Sequence, residues 1–254
     1  MKILEVSDLG VRFGGVAALQ EVELAVEAGS VHGLIGPNGA GKTTLLNCIG
    51  RVIQPTSGSI RFDGHDLLAR PTHALAALGI SRTFQNLALM DDRTALDNAM
   101  VGLPTQSRRF GVSSFLPLPS RTRRDAEDRH AAHDALAQLG LEAHAETTVR
   151  NLPYGHRKSV EIARALCASP RLLMLDEPTA GLHPGEMDQL AVAVKRLRDG
   201  LGLTILLITH HIEFLLKVAD RVTVLDLGRV IAAGPPALVQ TDPRVMAAYL
   251  GDDA

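Results

Sequence analysis

Residues 36–43 read Gly36-Pro37-Asn38-Gly39-Ala40-Gly41-Lys42-Thr43, and this run decides the fold. It matches G-x-x-x-x-G-K-[ST], a loop whose backbone amides converge on phosphate oxygens because glycine adopts conformations closed to other residues. In such a loop Lys42 reaches the β- and γ-phosphates and the Thr43 hydroxyl binds Mg²⁺. Thr44 follows on the helix whose positive N-terminal end faces the anion. The flanks agree with this reading. VHGLI (31–35) is a short apolar strand, and a helical pattern runs from Gly41 through Leu45, Leu46 and Ile49.

Outward from the loop, a second element belongs with it. Leu172-Leu173-Met174-Leu175-Asp176-Glu177 is an apolar strand that delivers two carboxylates at its carboxyl end, where ligand chemistry gathers in open α/β sheets. Asp176 is expected to hold Mg²⁺ through its water shell, and Glu177 to polarise an attacking water. Further strands are expected at 2–9, 19–27, 60–62, 204–209 and 221–226, and helices at 155–169 and 184–199. Strands alternating with helices predict a parallel sheet covered on its faces, and the unbroken runs LLML and TILLI fit strands buried on both sides. From 95 to 150 the pattern is mostly helical apart from a Pro- and Arg-rich stretch at 104–124. That reads as an inserted helical subdomain carrying a loop.

Composition narrows the function. The chain has 254 residues, 46% hydrophobic and 21% charged, enough for a large core without staples. A net charge of −2 argues against a dedicated nucleic-acid binder. An aromatic share of 3% without Trp argues against a sugar- or peptide-binding groove. No apolar run approaches the ~18–20 residues of a membrane span. Glu5 and Asp8 would interrupt any signal core, so a cytoplasmic chain is expected. Cys48 and Cys167 sit in apolar helical patterns and read as buried, reduced thiols. The arginines Arg108, Arg109, Arg121, Arg123, Arg124 and Arg129 are interleaved with Asp125, Glu127 and Asp128. This mixed run reads as a solvated loop and helix face.

Further motifs follow in an order that resembles the ATP-binding-cassette (ABC) family over essentially the whole chain. Leu152-Pro153-Tyr154-Gly155-His156, ahead of RKSVEIARAL, is similar to the family signature LSGGQ. Gln85 in RTFQN resembles the Q-loop, Ala180-Gly181-Leu182-His183 the D-loop, and His210 in LLITHH the switch histidine. Phe13 in VRFGG resembles the aromatic that stacks on adenine. The resemblance implies an α/β fold, a P-loop NTPase core with a parallel sheet, an N-terminal antiparallel β subdomain and the helical insert. It makes 1–254 a single ATPase domain, with core and β subdomain in 1–94 and 151–254 and the signature subdomain in about 95–150. It implies ATP and Mg²⁺ as cofactors, Gln85 as a further Mg²⁺ contact, and Glu177, His210, Gln85 and Lys42 as catalytic residues. The signature would meet ATP held by a second ATPase subunit, in a homo- or heterodimer. Separate permease subunits would hold the pair at the cytoplasmic face of the membrane, with a substrate-binding protein acting indirectly.

A narrower resemblance joins the chain to the ATPase subunits of branched-chain amino-acid importers. It rests on FGGVAAL, the arginine-bearing insert, Tyr-Gly with EIAR in the signature region, and the tail DPRVMAAYLG (242–251). Urea, amide and other amino-acid importers use similar subunits, so the substrate stays open at this level. Three residues depart from the family pattern: Pro153 for the signature serine, His183 for the common D-loop Asp, and His211 for the Asp after the switch histidine. Pro153 leaves a weakly hydrolysing regulatory subunit as an alternative. A non-transport ABC ATPase is another, although such chains usually carry a second cassette, coiled coils or basic arms.

Overall fold

Two sheets and the helix between them position everything that follows. The computed structural model describes residues 1–83, 87–104 and 119–250, without the side chains of 119–124 and 250. Gln85, Arg108 and Arg109 lie outside the described residues, as do the side chains of Arg121, Arg123 and Arg124. Strand β1 (Lys2–Phe13) turns at Gly14-Gly15 into β2 (Val16–Glu27), and β4 (Ser57–Phe62) and β5 (His65–Asp66) complete an antiparallel sheet in the order β2-β1-β4-β5. The β1–β2 hairpin is longer than alternation alone predicts, and Phe13 sits at its tip opposite Val16.

The second sheet has six strands: β3 (Val31–Ile35), β6 (Ile80–Arg82), β7 (Leu172–Asp176), β8 (Thr204–Ile208), β9 (Arg221–Asp226) and β10 (Arg229–Gly234). Their order is β10-β9-β3-β8-β7-β6, parallel throughout except for the β9–β10 hairpin. Every residue of β3, β7 and β8 is buried, as their unbroken apolar runs require. Alternation divides them between two cores. Leu34, Leu172, Met174, Leu206 and Ile208 pack with the antiparallel sheet and with Leu45, Leu46 and Ile49 of helix α1 (Lys42–Ile49). Leu173, Leu175, Ile205 and Leu207 face the opposite core, shared with the helices.

That helical side contains α2 (Ala95–Met100), α3 (Pro119–Gln138), α4 (Tyr154–Leu166) and α5 (Pro184–Leu201). Also present are α6 (Ile212–Val218), α7 (Pro236–Gln240) and α8 (Pro243–Leu250). Sequence periodicity does not reveal β6, β10, α6 or α7, because each is too short to complete a convincing period. Their places are set by tertiary contact. Gly33 of β3 shows how close α6 comes: a Cβ there would lie 2.3 Å from Leu215 Cδ1.

Candidate functional site

The carboxyl ends of β3, β6, β7 and β8 face one region, and the phosphate loop leaves β3 directly into it. The loop is held on both sides by backbone. Ala40 O accepts from Gly228 N at 3.0 Å, and Gln20 N donates to Gly228 O at 2.8 Å, tying the β9–β10 turn to β2 and to the loop. Two glycines are obligatory. Gly36 has φ 151° and a Cβ there would fall 1.9 Å from Leu225 O, while Gly41 has φ 103° with Ala18 O 2.8 Å from the same point. Gly41 also begins α1 without a side-chain cap, so the first-turn amides are left for a ligand. Asn38, Gly39 and Thr43 are exposed, whereas Lys42 is buried and donates to Gly36 O (2.6 Å) and Pro37 O (2.8 Å). Burial lowers the Lys42 pKa, against the opposing pull of the Glu177 and Asp176 carboxylates.

Asp176 and Glu177 leave β7 beside the loop. Asp176 is buried; its Oδ2 accepts from Arg82 Nη2 at 2.9 Å, and its amide donates to Thr83 Oγ1 at 3.3 Å. Arg82 Nη1 also donates to Asn47 Oδ1 of α1 at 2.7 Å, so one guanidinium joins β6, β7 and the phosphate-loop helix. Glu177 has φ 49°, a left-handed conformation costly for a residue with a Cβ, held by its amide donating to Ile208 O at 2.9 Å. Its Oε2 lies 2.9 Å from His210 Nδ1 at the end of β8. The segments after β7 and β8 are joined again by Thr179 Oγ1 and Thr209 Oγ1, 2.8 Å apart.

Lys42, Asp176, Glu177 and His210 therefore converge, as their sequence reading expects. Phe13 stands apart at the hairpin tip, 52% exposed. The 152–156 segment opens α4. Leu152 is buried, Pro153 precedes the first helical turn at φ −55°, and Pro153 O accepts from Arg157 N at 3.1 Å. The Tyr154 ring covers Gly181, where a Cβ would meet its Cε1 at 2.9 Å. Gly155 lies under Glu186, whose Oε2 accepts from the His183 amide at 2.9 Å. The His156 ring packs 4.8 Å from that of His144, and burial lowers its pKa. Residues 152–156 and 180–183 thus form one packed unit within the chain.

Sequence reasoning misses Arg82, Asn47, Thr83 and Lys158, of which Lys158 carries a readable signal. It shares an i, i+4, i+8 stripe with Ile162 and Leu166 on the buried face of α4, where a charge is out of place. Among the described residues no group of three or more His, Cys, Asp or Glu has metal-binding proximity. The oxygen donors Thr43 and Asp176 suit Mg²⁺, which takes few protein ligands and keeps phosphate oxygens and water.

Comparison with known proteins agrees with this geometry. A family model described as ABC transporter matches residues 19–180, and one described as Branched-chain amino acid ATP-binding cassette transporter matches 229–254. The high-affinity branched-chain amino acid transport ATP-binding protein BraF of Pseudomonas aeruginosa is 39% identical over 98% of both chains. The ADP conformation of MJ1267, an ATP-binding cassette of an ABC transporter, superposes with a TM-score of 0.85 at 31% identity over 99% of both chains. A dimeric cassette, MJ0796 bound to ADP and Pi, gives a TM-score of 0.74 at 27% identity over 92% of this chain and 98% of the other. A phosphate loop and a strand-end carboxylate pair in one site, with full-length similarity to such cassettes, lead to one conclusion: this chain belongs to the ABC transporter family and is one of its ATP-hydrolysing subunits.

Proposed function

We propose that this chain hydrolyses MgATP to drive an importer of branched-chain amino acids, with Glu177 as the residue that polarises the attacking water. The observation that carries the chemistry is the contact of Glu177 Oε2 with His210 Nδ1 at 2.9 Å, beside Lys42 and at the joined ends of β7 and β8. The phosphate-loop amides of 38–44 and Lys42 bind the triphosphate, and the ring of Phe13 takes the adenine. Thr43 and Asp176 would hold Mg²⁺, which supplies charge neutralisation across the β- and γ-phosphates when bound. Glu177 draws a proton from water as its oxygen attacks the γ-phosphorus and the bond to the ADP oxygen breaks. His210 fixes the orientation of that carboxylate.

The tail match at 229–254 and the likeness to BraF support the amino-acid substrate class. Among the described residues no helix is long and apolar enough to cross a membrane, so transport calls for separate permease chains. Among the described residues of the helical subdomain, α2 with Met90 and Val101 exposed on either side of it forms part of the surface offered to them at the cytoplasmic face. A second ATPase subunit completes each site with its own signature segment, an arrangement supported by the dimeric MJ0796 cassette.

The test is Glu177→Gln, which keeps the side chain's shape and removes the base. MgATP binding should persist while turnover falls by roughly two to four orders of magnitude. Unchanged turnover in preparations free of other ATPases would remove Glu177 from this role.

A further inference from the structure

Lys158 is an ionisable group buried inside the signature helix, and the mechanism above does not use it. Its side chain is 3% exposed, yet it lies on the face of α4 turned toward the end of β7. Its ammonium donates to the main-chain carbonyl of Glu177 at 3.2 Å and lies 5.8 Å from the centre of the Tyr154 ring. A buried ammonium is costly unless something holds it in place. Here its partner is the carbonyl of a residue whose backbone is already in a left-handed conformation, φ 49°. The Glu177 amide is held from the other side by Ile208 O, so the two ends of this strained residue are tied to different elements, β8 and α4.

We infer that Lys158 is a positioning residue for hydrolysis: it fixes the strained backbone of Glu177 to the helix that begins with 152–156, and so sets where the Glu177 carboxylate points. The inference rests on the assignment of Glu177 as the water-polarising group. It also gives the chain a direct link between its two functional surfaces. The start of α4 faces the nucleotide of the neighbouring subunit, whereas Glu177 acts on the nucleotide of this one. A shift of α4 reaches Glu177 through this side chain, beside the packing of Tyr154 on Gly181 and the Ala180 amide that also donates to the Glu177 carbonyl at 3.2 Å. Burial lowers the Lys158 pKa, and the carboxylates of Glu161, Glu177 and Asp176 oppose that shift and favour the charged donor.

The experiment uses the full chain assembled with its partner subunits and compares Lys158→Met, which keeps the length and apolar character of the stem, with Lys158→Arg, which keeps a charged donor. Loss of a charge-assisted hydrogen bond at this position should lower the kcat of Lys158→Met on the order of tenfold to a hundredfold. The Kd for MgATP, titrated with a fluorescent nucleotide, should stay within about twofold, because the phosphate loop is untouched. Combined with Glu177→Gln, Lys158→Met should cost nothing further, since it acts only through Glu177. Lys158→Arg should hold kcat within about threefold of the parent. The inference is overturned by a parent-like kcat in Lys158→Met, by affinity falling in step with rate, or by a further loss in the double variant. An Arg variant as slow as the Met variant overturns it equally. Glu177→Gln alone separates the two assignments. Retained turnover there removes Glu177 itself, while its loss beside an unaffected Lys158→Met removes only Lys158.

Discussion

His32 makes the stability of the phosphate-loop strand depend on pH. It lies in β3, 2% exposed, with Nε2 2.9 Å from Thr223 Oγ1 of β9. Burial, with the Arg221 charge as a second cause, lowers its pKa from 6.5 to about 4. The folded value lies below the unfolded one, so the unfolded chain binds the proton first as pH falls. The stabilisation from keeping His32 neutral is complete above pH 6.5 and is lost as pH drops from 6.5 toward 4. At about 1.4 kcal/mol per unit, the full shift is worth about 3 kcal/mol, of which about 2 kcal/mol is gone by pH 5. For a chain of this size that corresponds to roughly 4–8 °C in Tm. Urea unfolding followed by circular dichroism, on the parent and on His32→Gln at pH 7 and pH 5, isolates the effect. Any pH-independent cost of the substitution cancels in the difference. The parent should lose about 2 kcal/mol more than the variant between the two pH values. Parallel losses in the two proteins would refute the reasoning and place the titration elsewhere.

Phe13→Ala should weaken ATP binding by about tenfold or more, measured by nucleotide titration, because an aromatic ring under a base contributes on the order of 1–3 kcal/mol; an unchanged Kd would mean that the adenine rests elsewhere. Pro153→Ser restores a side-chain hydroxyl and a backbone N–H at the start of α4, and should raise single-turnover hydrolysis at the partner's phosphate loop when this chain's own site is silenced by Glu177→Gln. No change in that residual rate would show that the donors missing at Pro153 do not limit the partner's site.

The phosphate loop and the β7 carboxylates were legible because each is a contiguous run whose chemistry and context are both local. The loop's glycines sit where backbone atoms of Leu225 and Ala18 leave no room for a Cβ, so composition and geometry say the same thing. What the sequence hid lies in contacts between distant segments. Arg82 reaches Asp176 and Asn47 only because β6 joins the sheet beside β7 and α1 packs beneath. Residues 152–156 and 180–183 can be named separately, but the packing of Tyr154 on Gly181 and of Glu186 on Gly155 appears only once α4 and α5 are in place. The short helices α6, α7 and α8 escape because five to eight residues give at most about two helical periods, and tertiary contact decides them.

The exposures of the site residues carry a consequence for assembly. Lys42 and Asp176 are buried, and Glu177 retains only 15% of its side-chain exposure. Phe13 at 52%, Tyr154 at 45% and the His210 side chain at 58% remain open. The charged groups that act on phosphate are thus already withdrawn from water within one chain, whereas the groups that would touch base, neighbour and water are not. Electrostatic stabilisation of phosphoryl transfer gains most when solvent is excluded, and this surface excludes it only when something is laid against it. In the proposed arrangement a nucleotide would cover Phe13, and the helix start of a second cassette laid over the phosphates would cover Tyr154 and His210. If a second ATPase subunit completes the site as proposed, hydrolysis by an isolated chain should be slow for want of a cover, and a steady-state ATPase assay of the chain alone against the assembled transporter checks this.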